Sequence, residues 1–185
     1  KKFTIGYIGT MGISHNLDFI LRTIDLYKMY DIEFLFLGEG SSKEDLIRLS
    51  NNLSLKNVKF INNIQREFVP QYYSSIDVSL VCLAKNETFR KVIPSKIFEG
   101  CAMGKPILLG VEGEAKELIN KYNSGLCFKP NDASDFKKCA YRLKNECIYK
   151  KYVSGCLNLA NNYSREILAE RMLNYIYNYY YFKNI

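Results

Sequence analysis

The segment KVIPSKIFEGCAMGKPIL, residues 91–108, places a Pro-Ser-Lys tripeptide and one glutamate among residues suited to burial. Pro94 fits the first turn of a helix, so Ser95 and Lys96 would stand at the helix N-terminus. Glu99 follows one turn later, on the same face as Lys96. A hydroxyl, an ammonium and free backbone N–H groups suit a phosphate, and the nearby carboxylate suits the two hydroxyls of a ribose. The alternative is a surface ion pair between Lys96 and Glu99.

A glycine-rich turn near the start of the chain, GYIGTMGISHN, is a second candidate phosphate site. It follows a strand-like run and precedes a helical one, where close backbone approach and free N–H groups favour an anion. The residues of this loop are Gly9, Thr10, Met11 and Gly12. His15, the single histidine of the chain, has two interpretations: a contact to sugar or phosphate, or a polar residue at a helix start.

Two further segments follow strand-like runs. LGEGSSK, residues 37–43, approaches the dinucleotide fingerprint, but Lys43 replaces the third glycine and no acidic residue follows at the ribose position. Gly38 and Gly40 therefore indicate a structural turn rather than nicotinamide or flavin binding. In FINNI, the backbone groups of Asn62, Asn63 and Ile64 are candidates to meet a planar base. We expect Tyr72 and Tyr73, on the next helix, to lie in the core.

Alternating strand and helix patterns position these segments. Short apolar runs rich in β-forming residues predict strands at residues 4–8, 33–37, 58–61, 78–83, 106–110 and 125–128. Strands that are apolar on both faces and separated by helices pair in parallel with right-handed crossovers. The sequence thus predicts a Rossmann-like α/β fold, an open parallel sheet of about six strands with helices on both faces. Such sheets bind ligands beyond the carboxyl ends of their strands.

The region after the last predicted strand is helical throughout. Helices are expected at residues 132–144 and 149–159, and a last one begins at residue 164. The last helix has an apolar face formed by Leu168, Met172, Tyr175, Ile176 and Tyr179. Either this helix packs on its own domain, or residues 164–185 contact a domain that is absent from this sequence.

Composition limits the class of protein. The 185 residues, 48% of them hydrophobic, suffice for one soluble domain, and no apolar run is long enough for a membrane span. The net charge of +7 fits an anionic ligand or surface, but the basic residues are too scattered for a nucleic-acid module. Six cysteines without a CxxC pair indicate reduced thiols in a cytosolic protein, and we expect no metal site. Because the chain begins at Lys1, we expect it to be part of a longer protein.

A series of motifs resembles one known family. In order they are YIGTMG, FLFLGEG, VKFINNI, YYSSIDVSLV, PSKIFEGCAMGKPIL, GEAKELI and NSGLCFKPND. This order resembles the C-terminal domain of group 1 (family 4) glycosyltransferases of the GT-B fold, over residues 4–143. The resemblance implies a domain that binds a UDP- or GDP-linked sugar. It also implies hexosyl or N-acetylhexosaminyl transfer with retention of configuration, without a cofactor or an obligatory metal.

The resemblance also implies roles for particular residues. Glu99 matches the second carboxylate of the family's E-x7-E motif, which holds the ribose hydroxyls. The loop at residues 9–12 would lie near the diphosphate, and Asn63 and Ile64 near the base. Lys91 stands where the first glutamate of E-x7-E is expected, so the sugar contact is altered or supplied elsewhere, for which Glu87 is a candidate.

The glycine loop of this chain also lacks the Arg and Lys that many members place there. We expect Lys96 to supply the missing positive charge at the diphosphate.

The resulting prediction is a single domain over residues 1–185, the donor-binding half of an enzyme whose N-terminal acceptor domain is absent. Its acceptor would be a lipid-linked or other glycan, and its product a surface or capsular polysaccharide. The location would be cytoplasmic, including the inner face of the plasma membrane, and the fragment alone would be inactive. Two alternatives are a sugar-nucleotide epimerase of the same architecture and a non-catalytic nucleotide-binding module.

Overall fold

The computed structural model describes residues 2–182 and the side chains of residues 2–180. The strands are β1 (Phe3–Ile8), β2 (Ile32–Leu37), β3 (Val58–Ile61), β4 (Val78–Cys82), β5 (Ile107–Gly110) and β6 (Gly125–Cys127). The helices are α1 (Leu17–Leu26), α2 (Lys43–Asn52), α3 (Val69–Ser75), α4 (Lys96–Ala102), α5 (Glu114–Tyr122), α6 (Ala133–Arg142), α7 (Glu146–Asn162) and α8 (Arg165–Phe182). Short 3₁₀ helices span Ile13–His15, Arg66–Phe68 and Glu87–Lys91.

The six strands form one open sheet in which every pairing is parallel, in the order β3-β2-β1-β4-β5-β6. The predicted α/β fold is confirmed, and each predicted strand agrees with the observed one to within one residue at either end. Helix α7 begins three residues earlier than predicted. The cause is Asn145, whose side chain accepts a hydrogen bond from the N–H of Ile148 (3.1 Å) and caps the helix start.

Helices cover both faces of the sheet because its strands are apolar on both sides. Helices α1, α2 and α6 pack on one face, against side chains such as Ile5, Phe34 and Leu80. Helices α3, α4, α5 and α7 pack on the other, against residues that alternate with the first set, such as Leu35 and Leu109. Helix α1 shows why these helices form, because four of its aliphatic residues share one buried stripe. Burial of each contributes about 2 kcal/mol.

Helix α8 differs from the other helices in its exposure. The predicted apolar residues Leu168, Met172, Tyr175, Ile176 and Tyr179 are between 41% and 77% exposed. The interpretation that this face packs on its own domain is therefore wrong for these side chains. The end of the predicted 164–185 segment, residues 183–185, lies outside the described residues.

Most of the cysteine side chains lie inside the protein. All six cysteines are unpaired, and Cys82, Cys101, Cys139 and Cys156 are buried. Within residues 2–182, no helix has the length and apolar character that a membrane span requires.

Candidate functional site

A cleft of about 370 Å³ lies at the carboxyl edge of the sheet, around the point where the strand order reverses between β1 and β4. Open α/β sheets place ligands at such a reversal. The cleft is lined from the connections that follow β1, β2, β3 and β4. Six of the nine predicted nucleotide-sugar-binding residues line it: Gly9, Thr10, Asn63, Ser95, Lys96 and Glu99.

The start of helix α4 forms one wall of the cleft. Ser95 is the residue that caps this helix, so Pro94 precedes the helix instead of standing in its first turn. The Ser95 carbonyl accepts hydrogen bonds from the N–H groups of Phe98 (2.9 Å) and Glu99 (3.2 Å). Its side chain makes no capping hydrogen bond. The exposed hydroxyl of Ser95 is thus available at the cleft.

Lys96 reaches from α4 across the first glycine of the β1 loop. Its ammonium donates a hydrogen bond to the hydroxyl of Tyr7 (2.9 Å) and lies 4.6 Å from the centre of that ring. A Cβ atom on Gly9 would come within 2.3 Å of Lys96 Cε, so this path requires glycine at position 9. Burial lowers the pKa of Lys96. Among the described side chains Lys96 and Glu99 form no ion pair with each other, which removes the alternative interpretation of this segment.

Glu99 lies one turn further along α4, exposed on the cleft. The hydroxyl of Tyr73 on α3 lies 3.5 Å from Glu99 Oε2. Tyr73 is 2% exposed, as predicted for a core residue, and its pKa is raised by burial and by the Glu99 charge. The carboxylate of Glu99 therefore has a buried hydroxyl behind it and the cleft in front of it.

The glycine loop after β1 differs from the expectation of free N–H groups. The N–H groups of Gly9 and Met11 donate to the carbonyls of Leu37 and Glu39, both at 2.8 Å. The N–H of Gly12 donates to Nδ1 of His15 (3.3 Å). These three amides are engaged within the protein, so an anion at this loop would depend on other groups, above all the ammonium of Lys96.

Two members of the predicted glycine loop do not line the cleft. Met11 is fully buried in the core, and its carbonyl accepts a hydrogen bond from the N–H of Ser42 (2.9 Å). Gly12 instead lines a separate groove between α1 and α2. The loop therefore offers only Gly9 and Thr10 to a ligand in the cleft.

The LGEGSSK turn after β2 has a structural function, as its sequence indicated. Gly38 has a φ of +142°, and a Cβ atom there would lie 2.1 Å from the carbonyl oxygen of Gly9. The turn consequently packs backbone against backbone on the β1 loop. A side chain at position 38 would separate these two loops, which form part of the floor of the cleft.

A network of polar side chains that the sequence analysis did not assign to the site joins the ends of β2 and β3. Lys43 is 4% exposed, and its ammonium donates to Glu39 Oε1 and to Asn62 Oδ1, both at 2.7 Å. Glu39 Oε1 also accepts from the N–H of Asn63 (3.1 Å), and its hydrogen bond with Lys43 lowers the pKa of Glu39. Glu39 therefore adds a second carboxylate to the cleft.

The structure separates Asn63 and Ile64, the two residues that the family resemblance places near the base. Asn63 is exposed and lines the cleft, whereas Ile64 is half-buried and packs with the α3 side of the core. Because the N–H of Asn63 is bonded to Glu39, a ligand in the cleft would have to contact other groups of Asn63.

The remaining candidates lie outside this cleft. His15 is half-buried, with its ring centre 5.9 Å from that of Tyr7; burial and then the Lys96 charge lower its pKa. Glu87 lines a neighbouring pocket of about 210 Å³ and pairs with Arg90 at 3.2 Å. Lys91 is exposed and lines neither cavity. In the part of the chain that the structure describes, no group of His, Cys, Asp or Glu side chains is arranged to hold a metal ion.

Comparison with known proteins places the chain in a family. Residues 1–153 match the family described as Glycosyl transferases group 1. A stretch of 108 residues is 30% identical to TuaH of Bacillus subtilis (strain 168), whose name assigns it to teichuronic acid biosynthesis as a glycosyltransferase. That stretch covers 58% of this chain and 26% of TuaH, so the chain spans about a quarter of its curated relative.

Solved structures share the fold at low sequence identity. Alr3699/HepE of Anabaena in complex with UDP has a TM-score of 0.80 at 14% identity, over 96% of this chain and 49% of that protein. A mutant of S. aureus TarM in complex with Fondaparinux, alpha-GlcNAc-glycerol and UDP has a TM-score of 0.79 at 17% identity, over 94% of this chain and 35% of TarM. The C-terminal domain of the group 1 glycosyl transferase LpcC of Francisella tularensis has a TM-score of 0.66 at 17% identity, over 87% of this chain and 85% of that domain. By its family match, this chain belongs to the group 1 glycosyltransferases.

Proposed function

We propose that this domain binds the nucleotide diphosphate end of a sugar donor in a retaining glycosyltransferase. Lys96 and Ser95 would contact the diphosphate, and Glu99 would bind the ribose hydroxyls. The observation that supports this proposal is the placement of a half-buried ammonium and an exposed carboxylate on one turn of α4, facing the same cleft. A nucleotide diphosphate carries the two features that such a pair could bind, a negatively charged diphosphate and the paired hydroxyls of a ribose.

The electrostatics of Lys96 favour an anionic ligand. Burial lowers its pKa because the charged form has lost water, and the charge of Glu99 offsets that loss only in part, without an ion pair between the two described side chains. A diphosphate would provide the missing countercharge. During sugar transfer negative charge grows on the departing diphosphate, and an ammonium already directed at it stabilises that charge. In this proposal Lys96 provides the positive charge that a metal ion would otherwise provide at the diphosphate, so no metal or cofactor is required.

The nucleobase would lie against Asn63 and the network around Glu39. UDP and GDP both remain candidates, and the UDP in the HepE and TarM structures supports uridine. Glu87, in the neighbouring pocket, is the candidate contact to the donor sugar.

For the whole protein we propose a C-terminal donor domain joined to an N-terminal domain that binds a glycan or lipid-linked acceptor. The product would be a cell-surface polymer such as a capsular polysaccharide, a proposal supported by the name of TuaH, which assigns that protein to teichuronic acid biosynthesis. The reaction would take place in the cytoplasm, at the inner face of the plasma membrane. The exposed apolar face of α8 would contact the N-terminal domain, and the fragment alone would bind the donor without turnover.

Titration calorimetry of UDP and GDP on single variants tests the site. Lys96→Ala should weaken binding about tenfold, the loss expected for one charge-assisted contact. Glu99→Gln should reduce the preference for UDP over 2′-deoxy-UDP, because only the ribose carries the second hydroxyl. Lys150→Ala on α7, which removes the same charge far along the chain from the cleft residues, is the control and should bind normally. Equal affinities for Lys96→Ala and the unaltered domain would refute the assignment.

Full-length protein separates transfer from the alternatives. Release of UDP or GDP that depends on an acceptor supports glycosyl transfer. Interconversion of sugar nucleotides without an acceptor would instead show an epimerase, and binding without any reaction would show a nucleotide-binding module.

A further inference from the structure

Tyr7 is a buried residue whose hydroxyl contacts two residues that line the candidate cleft. It lies in β1, opposite Phe36 of β2, and is 1% exposed. Its ring packs near the rings of Phe36 and His15, with centre distances of 6.2 and 5.9 Å. A buried tyrosine hydroxyl needs hydrogen-bond partners, and those of Tyr7 belong to residues that line the cleft.

The hydroxyl of Tyr7 is oriented by two partners. It donates its single proton to the carbonyl of Thr10 and accepts a hydrogen bond from the ammonium of Lys96 at 2.9 Å. Because its proton is directed to Thr10, its lone pairs are directed to Lys96. Burial raises the pKa of Tyr7, so the phenol keeps this proton across the range in which proteins are handled.

Lys96 is consequently held at the edge of the cleft before any ligand arrives. Its stem passes over Gly9, and Tyr7 provides the hydrogen-bond acceptor at its end. An ammonium has three N–H donors, and Tyr7 accepts one of them. The other two can be directed to oxygen atoms of a ligand in the cleft.

We propose that Tyr7 is a positioning residue, whose hydroxyl fixes the Lys96 ammonium at the diphosphate-binding side of the cleft. This inference rests on the proposed function, in which Lys96 contacts the diphosphate. A free lysine side chain loses considerable rotamer freedom when it binds a ligand, and a lysine held beforehand has already lost it. Tyr7 itself does not touch the ligand.

The variant Tyr7→Phe tests the proposal because it keeps the ring and removes only the hydroxyl. The affinity for UDP or GDP, whichever binds the unaltered domain more tightly, should fall roughly three- to tenfold. The hydroxyl accepts a hydrogen bond from the charged form of Lys96, so we expect its removal to lower the pKa of Lys96 further. Binding should therefore be lost at a lower alkaline pH in Tyr7→Phe than in the unaltered domain. A purely structural loss would leave that pH limit unchanged.

Tyr149→Phe is the matched control. The hydroxyl of Tyr149 also donates to a backbone carbonyl, that of Asp77 (3.1 Å), but Asp77 precedes β4 at the opposite edge of the sheet. Nucleotide affinity and its pH limit should be unchanged in this variant. Circular dichroism melts of both variants check that each is folded.

A double-mutant cycle connects Tyr7 to Lys96. If Tyr7 acts through Lys96, the double variant Tyr7→Phe/Lys96→Met should bind no more weakly than Lys96→Met alone. Additive losses would overturn the positioning role. Normal binding by folded Tyr7→Phe, together with weak binding by Lys96→Met, would overturn this inference and leave the proposed function intact. Normal binding by Lys96→Met would contradict both.

Discussion

Lys96 and His15 both lie against the aromatic ring of Tyr7, and the charge of Lys96 affects the pKa of His15. The Lys96 ammonium is 4.6 Å from the centre of the Tyr7 ring, and the His15 ring meets Tyr7 edge-on at 5.9 Å. Burial is the largest cause of the lowered pKa of His15, and the Lys96 charge is the second. The histidine therefore reports on the charge at the candidate diphosphate site.

The titration of His15 measures this interaction directly. Its NMR signals can be assigned at once because the chain has one histidine. The pKa should lie below the ordinary value of 6.5 in the unaltered domain and rise towards it, without reaching it, in Lys96→Met. Lys150→Met should leave the pKa unchanged. An unaltered pKa in Lys96→Met would show that the ammonium does not lie where the structure places it.

The same shift has a consequence for stability. Below pH 6.5 unfolded His15 binds a proton more readily than folded His15, so acidification through this range lowers the free energy of unfolding. Lys96→Met should reduce this dependence of the free energy of unfolding on pH.

The sequence could identify the residues that line the cleft better than their buried partners. Ser95, Lys96 and Glu99 stand out because a short motif places their polar groups at a helix start. Tyr7 and Tyr73 do not, because they contact Lys96 and Glu99 across 89 and 26 residues of chain. A tyrosine in a strand that is otherwise apolar does indicate that its hydroxyl has a partner, but it does not say which.

Backbone hydrogen bonds join the loops that follow β1, β2 and β3 into one floor beneath the cleft. The N–H of Gly9 donates to Leu37, and the N–H of Gly38 donates to Ile61 (3.1 Å). Each of these hydrogen bonds thus ties the first residue of one loop to the last residue of the neighbouring strand. Lys43 adds side-chain hydrogen bonds between the connections that follow β2 and β3.

The variant Gly38→Ala should lower the free energy of unfolding by more than the cost of its positive φ angle alone. A positive φ costs an alanine about 1–2 kcal/mol. The clash of its Cβ with the Gly9 carbonyl, at 2.1 Å, adds to that cost because backbone must move. We expect a total loss above about 3 kcal/mol in urea unfolding, with weaker nucleotide binding. Gly104→Ala is the control: its φ is +63°, but its nearest neighbour is 3.7 Å away, so only the first cost applies. Equal losses in the two variants would contradict this account.

The elements of the fold were predictable to different degrees. Strand ends agree with the prediction because buried parallel strands are continuous apolar runs that stop at polar or glycine residues. The start of α7 was missed because Asn145 caps a helix whose first turn has no apolar periodicity. The engaged amides of Gly9 and Met11 were missed because they depend on the loop after β2.

At the scale of the whole molecule, the described domain ends in a helix that contributes little to its own core. Helix α8 exposes Met172 (65%), Leu173 (67%) and Tyr175 (77%). An apolar surface of this kind marks an interaction site. In our proposal the N-terminal domain covers it.

Substitutions in α8 should therefore have different effects in the isolated domain and in the full-length protein. Tyr175→Ser should change the free energy of unfolding of the isolated domain by less than about 0.5 kcal/mol, because the ring is already exposed. In the full-length protein the same change should cost more, since the ring would be covered there. Leu159→Ala in α7, at a fully buried position, should cost about 3 kcal/mol in both. The same small effect of Tyr175→Ser in both proteins would argue against an interface at α8.

The path of Lys96 over Gly9 to the Tyr7 hydroxyl also constrains how this protein can evolve. Any side chain at position 9 would displace the lysine, and without the lysine the hydroxyl at position 7 would be buried with one partner fewer. We therefore expect the residues at positions 7, 9 and 96 to change together in evolution, although they are far apart in the sequence. If Lys96 contacts the diphosphate as proposed, relatives that contact it through a different residue can lose all three together, and we expect few that retain only one or two.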